Sequence, residues 1–227
     1  MFYKIALDGP SGAGKSTLAK MIAKRLGIVY VDTGAMYRSI GLFVLRRGVA
    51  PADEEAVCAL LSEIRLSVRF DGGEQRIYLC DEDVTPYIRT PEISMAASRV
   101  SAIPAVRTFL LDTQRDLAKS ASVIMDGRDI GTVIFPDAEV KIFLTASAEA
   151  RAHRRTAELL EKGIATSFEE VLRDIEQRDK NDRERDVAPA VAAADATVLD
   201  NSLLDLAGTV EAALHIIEER LALCERA

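Results

Sequence analysis

The sequence predicts an α/β fold: a five-stranded parallel sheet with helices on both faces, a small antiparallel β insert and a short helical lid. Strand-like and helix-like patterns alternate along the chain, which is typical of a mostly parallel sheet covered on both faces. The first strand runs into a glycine-rich loop that opens an amphipathic helix. One stretch with the alternation of a β-hairpin interrupts this order and predicts the insert.

The bulk composition narrows the class of protein. The 227 residues are 48% hydrophobic and 29% charged, which fits one domain with a sizeable core. The net charge of −7 argues against binding to nucleic acid or to a membrane surface. Three widely spaced cysteines predict reduced thiols, and two histidines argue against a Cys/His metal site. Because we find neither a signal-peptide pattern nor a long apolar segment, we expect a cytoplasmic protein. The sequence is silent on the oligomeric state, and we expect a monomer.

The first strand and the loop after it carry the strongest signal. A strand over 2–7 and a helix over 15–26, ending at Gly27, flank a segment that fits the phosphate-binding pattern G-x-x-x-x-G-K-[ST]. Glycines let backbone N–H groups approach an anion, and the helix N-terminus adds the positive end of its dipole. Lys15 supplies a cation for the outer phosphates, and Ser16 a hydroxyl for Mg²⁺. The alternative is a glycine-rich turn without a ligand. The residues assigned to a nucleoside triphosphate are Gly9, Pro10, Ser11, Gly12, Ala13, Gly14, Lys15, Ser16 and Thr17.

The later elements follow from apolar runs, helical periodicity and prolines that suit the first position of a helix. The predicted strands cover 28–31, 122–125, 140–144 and 196–199. The predicted helices run from the polar segment 32–38 through Arg46, from Pro51 to about Ile64, over 91–102 and 104–120, as a pair within 147–185 separated by 162–166, and over 203–221.

The sequence predicts three parts within the single domain: a core, a part that carries the β insert, and a lid. Residues 66–70 and 76–80 alternate on either side of a turn, so 66–83 reads as a β-hairpin. The predicted core comprises about 1–35, 103–147 and 186–227. The part with the β insert covers about 36–102, and the lid with its adjoining helix covers about 148–185.

An acidic and basic turn follows the strand over 122–125. Ligands bind just outside the carboxyl ends of strands in an open α/β sheet. We therefore expect Asp126 to hold Mg²⁺ or its water and Arg128 to reach the same crevice. The alternative is a tight turn with a surface ion pair.

Two clusters of arginines lie on the predicted lid helices. Arg178, Asp182 and Arg185 share one helical stripe, which suits a ligand with phosphate and hydroxyl groups. Arg151, Arg154 and Arg155 share another, and a mobile helical hairpin would bring them over a triphosphate. The alternatives are a solvated, salt-bridged face for the first cluster and, for the second, an ion pair between Arg154 and Glu158. No Ser/His/Asp set or activated cysteine is found, and phosphoryl transfer needs neither.

Further motifs occur in a fixed order after the loop. They are 32–38, 96–98 with Arg107, 126–132, 135–138 with 141–144, 151–155 and 178–189. Together they resemble the bacterial cytidylate kinases of the nucleoside monophosphate kinase family over nearly the whole chain. The resemblance implies a P-loop NTPase-type fold and the ATP-dependent phosphorylation of CMP and dCMP, with Mg²⁺ accompanying ATP. The β-hairpin would be the family's insert in the monophosphate-binding part.

The resemblance also implies roles for individual residues. Ser98, Arg107 and Asp129 would face the cytosine. The acceptor phosphate and sugar would be held by Arg38, Arg128, Arg178, Asp182 and Arg185, with the Thr33 hydroxyl beside them, where many relatives have serine. We assign catalysis to Lys15, Arg128, Arg178 and Arg155, ATP binding also to Arg154, and the metal to Ser16 and Asp126.

Other functions would need other motifs. A GTPase would need an Asn-Lys-x-Asp guanine reader, which the sequence lacks. A P-loop kinase of another small acceptor, such as UMP or a shikimate-like metabolite, remains the alternative, although the second would need neither the insert nor the cytosine-facing residues.

Overall fold

The structure is a computed structural model, and it describes residues 2–161, 163–185 and 187–224. Lys162, which we assigned to the linker between the two lid helices, lies outside the described residues. The chain forms two compact units: Tyr3–Ile28 with Ile124–Ala227, and Val29–Val123. Each unit is described below by itself.

The strands and helices alternate much as the sequence predicts. The strands of the described chain are β1 Lys4–Asp8, β2 Val29–Asp32, β3 Leu66–Asp71, β4 Glu74–Leu79, β5 Glu82–Asp83, β6 Val123–Gly127, β7 Val140–Thr145 and β8 Thr197–Asp200. The α-helices are α1 Lys15–Leu26, α2 Thr33–Arg46, α3 Glu54–Leu60, α4 Pro91–Val100, α5 Pro104–Asp116, α6 Ala148–Glu161, α7 Phe168–Glu184 and α8 Leu206–Cys224. Leu61–Glu63 forms a 3₁₀ turn and Ile130–Ile134 a turn of π-helix.

A five-stranded parallel sheet forms the core, with the strand order β2-β6-β1-β7-β8. The middle of each central strand is an apolar, buried run, such as Ile5-Ala6-Leu7 in β1 and Val123-Ile124-Met125 in β6, as expected for strands covered on both faces. In β1, Ile5 pairs with Val140 of β7, and both side chains are fully buried. The five predicted core strands are confirmed within two residues at each end.

A second, antiparallel sheet contains the strands β3, β4 and β5 in that order. The predicted hairpin is confirmed: Asp71 pairs with Glu74 across Gly72 and Gly73, whose positive φ values suit a tight hairpin turn. The short strand β5 is not predicted. It pairs with β4 through a turn in which Cys80 and Asp81 have positive φ values, so no glycine signals the turn.

Helix boundaries follow their capping residues. Gly27 ends α1 in the left-handed conformation, as predicted. The prediction that α3 starts at Pro51 is wrong, because the helix begins at Glu54, after Asp53. The Asp53 carboxylate accepts a hydrogen bond from the Ala56 N–H at 3.1 Å, and alanine precedes Pro51. Likewise, an Asp32 cap starts α2 directly at Thr33.

The helices α6 and α7 pack against each other around a small core of their own. Ala152, Val171 and Ile175 are buried together, and the His153 ring stacks on Phe168 with 4.3 Å between centroids. A reciprocal capping box between Ser167 and Glu170 starts α7. Among the described residues, no helix has the length and apolar character needed to cross a membrane.

Candidate active site

The phosphate loop between β1 and α1 is shaped by glycines. Gly9 has a φ of 146° and lies so close to β7 that an added Cβ would be 2.0 Å from the Leu144 carbonyl oxygen. Gly14 adopts the left-handed conformation at the N-cap of α1. Since no side chain caps that helix, its first N–H groups stay available to an anion. The Lys15 ammonium donates to the Pro10 carbonyl at 2.7 Å, which holds its side chain along the loop.

Lys15 lies in a concentrated positive field. Its side chain is buried, and burial together with the nearby charges of Arg128 and Arg178 holds the pKa of Lys15 well below its usual value. The carboxylates of Asp126 and Asp8 act in the opposite direction. A polyphosphate would relieve this repulsion, because its negative charge balances the three cations. The structure thus brings together three residues that the sequence analysis assigned to catalysis.

The two residues assigned to the metal are in direct contact. The Ser16 hydroxyl donates to an Asp126 carboxylate oxygen at 2.9 Å, and Asp126 is buried at the end of β6. A hydroxyl and a carboxylate are hard oxygen ligands, and Mg²⁺ in nucleotide sites takes one or two such protein ligands with phosphates and water. The described residues contain no group of three or more His, Cys, Asp or Glu suited to a metal.

Arg128 and the helix α7 meet through an ion pair. The Arg128 Nε donates to Asp182 at 2.8 Å, and both side chains are mostly buried. Burial would raise the pKa of Asp182, but the charges of Arg128, Arg178 and Arg185 outweigh it and leave this pKa below its usual value. The predicted stripe needs one correction: α7 ends at Glu184, and Arg185 lies at its C-cap, where its Nε donates to the Ala188 carbonyl at 2.6 Å.

Arg151 has a structural role that the sequence analysis did not anticipate. Its guanidinium is buried and donates to the Ala146 carbonyl at 3.0 Å, the Ser11 carbonyl at 2.9 Å and the Asp179 carboxylate at 2.6 Å. Three bonds to three segments tie α6 to the phosphate loop and to α7. Arg151 therefore holds the site together through fixed hydrogen bonds, and it is not an arginine that moves over a bound ligand.

The other two arginines of α6 have different partners. Arg154 donates to the side-chain and backbone oxygens of Asn201 at 3.1 and 2.7 Å, and the Asn201 amide donates to the Ala13 carbonyl at 3.1 Å. Arg154 is thus connected to the phosphate loop through one residue. It is Arg155, and not Arg154, that pairs with Glu158, at 2.7 Å, and both side chains of this pair are half-exposed.

Asp8 is a residue of the site that the sequence analysis missed. It ends β1, is almost fully buried, and accepts the N–H groups of Ile130 and Gly131, each at 2.8 Å. These bonds anchor the π-helical turn that follows Asp129, where the Phe135 N–H reaches back to the Ile130 carbonyl at 2.6 Å. The strand that leads into the phosphate loop therefore also fixes the turn after Arg128 and Asp129. The sequence gives one sign of this role of Asp8: it is an acidic residue at the end of an apolar strand.

Asp8 gives the first testable prediction. Burial, reinforced by the negative charge of Asp129, raises the pKa of Asp8 to about 6. Between this value and the ordinary aspartate pKa, the folded protein binds a proton that the unfolded chain does not, so the contribution of Asp8 to stability grows as the pH falls from 6 towards 4. We expect urea unfolding at a series of pH values to show the wild type gaining stability relative to Asp8→Asn over that interval. Parallel pH profiles for the two proteins would contradict this.

In the unit Val29–Val123, Asp32 organises the start of α2. Its carboxylate accepts the Ala35 N–H at 2.9 Å and pairs with Arg38 at 2.8 Å and Arg89 at 3.0 Å. Gly34 makes room for this arrangement, since an added Cβ would come within 3.2 Å of both Asp32 and Arg38. Thr33 is buried beside it. Arg38 is thereby held at the N-terminal end of a helix, where an anion is favoured.

The residues assigned to the cytosine in this unit come from α4 and α5. Arg107 is buried, donates to the Ser101 carbonyl at 3.0 Å and lies over the Tyr37 ring of α2, 5.5 Å from its centroid. Ser98 is half-buried near the end of α4. α4 packs closely on α2, because an added Cβ at Gly41 would be 3.0 Å from the Ala97 nitrogen. Arg38, Ser98 and Arg107 are therefore carried by three helices of one packed unit.

Comparison with known proteins agrees with the resemblance seen in the sequence. A family model described as cytidylate kinase matches residues 5–219. The chain is 47% identical over 212 residues to a cytidylate kinase from Caldicellulosiruptor bescii (93% of this chain, 94% of that one) and 49% identical over 220 residues to one from Fervidobacterium nodosum (97% and 98%). A gluconokinase structure from Sinorhizobium meliloti, 15% identical over 99% of this chain and 97% of that one, has a TM-score of 0.50, which shows a shared fold. Because the family model and these relatives span nearly its whole length, the chain belongs to the cytidylate kinase family.

Proposed function

We propose that the protein transfers the γ-phosphoryl group of ATP to CMP and dCMP, giving CDP or dCDP and ADP, in pyrimidine nucleotide metabolism. The observation that carries the proposal is the set of cations around the phosphate loop, Lys15, Arg128 and Arg178, in a chain of the cytidylate kinase family. Phosphoryl transfer proceeds through a loose transition state, so positioned charge is the main catalytic resource. A cytoplasmic monomer is part of the proposal, and the three free cysteines and the net charge of −7 are compatible with it.

The donor side of the reaction is assigned to the phosphate loop. The backbone N–H groups of Gly9–Thr17 and the α1 N-terminus bind the β- and γ-phosphates, and Lys15 neutralises charge that develops on the transferred group. Ser16 and Asp126 would hold Mg²⁺, which neutralises phosphate charge and orients the donor. Arg154, next to the loop through Asn201, binds ATP, and Arg155 approaches the transferred phosphoryl group.

The acceptor side is assigned to arginines that already have carboxylate partners. Arg128 and Arg38 bind the phosphate of CMP, each oriented by an aspartate, Asp182 and Asp32 respectively. The Asp182 carboxylate, kept ionised by its low pKa, also accepts hydrogen bonds from sugar hydroxyls. The remaining contacts are assigned to Arg178, Arg185 and Thr33. Pre-formed ion pairs reduce the cost of ordering these long side chains when the substrate binds.

We predict that the α7 arginines act on CMP rather than on ATP. Arg178→Ala and Arg185→Ala should each raise the KM for CMP or lower kcat/KM for CMP by roughly tenfold or more, because a charge-assisted contact contributes about 1.5–3 kcal/mol. Steady-state kinetics with each substrate varied in turn would measure this. Arg173→Ala, an exposed arginine of the same helix, is the matched control. An effect confined to the KM for ATP would move both residues to the donor side.

Asp129 is the proposed reader of the cytosine amine. An ionised carboxylate only accepts hydrogen bonds, so it suits the exocyclic amine of cytosine and opposes the O4 of uracil. Arg107 and Ser98 supply donors for the remaining edge of the base. Asp129→Asn should lower the CMP/UMP ratio of kcat/KM by at least roughly tenfold, mainly by harming CMP. Asp137→Asn, an exposed aspartate farther along, should leave the ratio unchanged. A constant ratio in Asp129→Asn would show that Asp129 does not read the base.

The alternative acceptors are UMP and a shikimate-like metabolite, and family membership does not favour them. A thermal-shift screen of CMP, dCMP, UMP, GMP, AMP and shikimate tests the proposal directly. A ligand at 100 times its Kd adds about 2.7 kcal/mol of stability, so CMP and dCMP should raise the melting temperature most. Coupled-assay turnover with ATP and CMP then confirms transfer. A protein stabilised by shikimate, but by no nucleoside monophosphate, would overturn the proposal.

A further inference from the structure

The antiparallel insert reaches the edge of the parallel sheet through one side chain. Gln75 of β4 accepts the Asp32 N–H through its Oε1 at 2.7 Å and donates from Nε2 to the Asp32 carbonyl at 3.1 Å. One amide thus pairs with both backbone groups of the last residue of β2, as a neighbouring strand would. Because β2 is the outermost strand on its side of the sheet, nothing in the sheet itself supplies this second partner.

The residue that Gln75 holds also carries the carboxylate on which Arg38 depends. One Asp32 oxygen caps α2 through the Ala35 N–H, and the other accepts from Arg38 and Arg89. Asp32 is almost fully buried, so this carboxylate has little freedom to turn once its backbone is held. A rotation of the Asp32 peptide groups would move both oxygens and would release or redirect Arg38.

We propose that Gln75 is a positioning residue for the acceptor phosphate: by holding Asp32 it sets the orientation of Arg38. The inference rests on the proposed function, in which Arg38 binds the phosphate of CMP. It gives the β insert a role in substrate binding that acts through Asp32 and Arg38. All the contacts involved, from Gln75 to Asp32 to Arg38, lie within the unit Val29–Val123.

Kinetic constants for Gln75→Ala test the proposal. The loss of both hydrogen bonds to Asp32 should raise the KM for CMP by roughly five- to tenfold and leave the KM for ATP within about twofold. Gln75→Glu should have a similar effect, because a carboxylate can accept the Asp32 N–H but has no donor for its carbonyl. Glu74→Ala, an exposed neighbour on the same strand, is the matched control and should change neither constant.

A double-mutant cycle separates positioning from general support of the fold. If Gln75 acts through Arg38, Gln75→Ala should have little further effect on the KM for CMP in an Arg38→Ala background. An equal effect in both backgrounds would overturn the inference, as would an unchanged KM for CMP in a Gln75→Ala protein that is folded by thermal unfolding. Wild-type protein that fails to phosphorylate CMP would overturn the proposed function instead, and this outcome is read before any variant is compared.

Discussion

Lys15→Ala is expected to lose at least about 10²–10³-fold in kcat while the protein remains folded, because a pre-positioned charge at the transferred phosphoryl group is removed. The structure adds a reason for retained folding. Burial, together with the nearby charges of Arg128 and Arg178, lowers the pKa of Lys15, so the ligand-free fold should tolerate its removal. Initial rates with saturating ATP and CMP, together with a melting curve, measure both parts of the prediction.

The matched control for this variant is Lys24→Ala, which removes an exposed lysine from the same helix. It should retain wild-type turnover. If Lys15→Ala kept wild-type turnover, the phosphate loop would not be the donor site. If the Lys15→Ala variant unfolded, its loss of activity would say nothing about the charge of Lys15. Lys15→Met, which keeps most of the buried aliphatic side chain, would then be tested instead.

Gly9→Ala is expected to have the largest effect on stability, about 3 kcal/mol or more. The φ of 146° is unfavourable for alanine, and the new Cβ would lie 2.0 Å from the Leu144 carbonyl oxygen, a backbone atom in β7 that cannot move without disturbing the sheet. Urea unfolding would measure the loss. We also expect reduced ATP affinity, since the loop must shift away from β7.

Gly48→Ala separates the two causes. Gly48 also has a positive φ, 70°, but an added Cβ there meets no atom within 4 Å. It should therefore cost only the backbone strain, roughly 1 kcal/mol. Equal losses for the two variants would show that the approach of Gly9 to Leu144 is not what makes glycine necessary.

The parts of the fold that could be predicted are those that depend on local pattern. The phosphate loop, the buried strands and the proline-started helices α4 and α5 each follow from residues within one short segment. Where local signals compete, a side-chain acceptor decides: Asp53 rather than Pro51 starts α3. The two-residue strand β5 carries no periodicity and turns at Asp81 rather than at glycine, so no local rule reveals it.

The candidate site could be predicted by residue type but not by partner. Ser16 and Asp126 are recognisable separately, yet the contact between them joins residues that are far apart in the chain. Asp8 and Gln75 were missed, and Arg151 was given a different role, because each binds backbone groups of distant segments, and backbone groups leave no trace in sequence patterns. A buried arginine and a half-exposed arginine on one helix, such as Arg151 and Arg155, look alike in the sequence until their surroundings are known.

The close approach of Gly9 to Leu144 has a consequence for how the protein is made. About 135 residues separate the two, so a ribosome working at roughly 5–20 residues per second needs about 7–27 s after Gly9 before Leu144 exists. During that interval β1 lacks its neighbour β7, with which Ile5 pairs at Val140. The contiguous unit Val29–Val123 is made within that interval. A nascent chain stalled before β7 should therefore be unable to bind ATP. A nucleotide can then stabilise only those chains whose synthesis has passed β7.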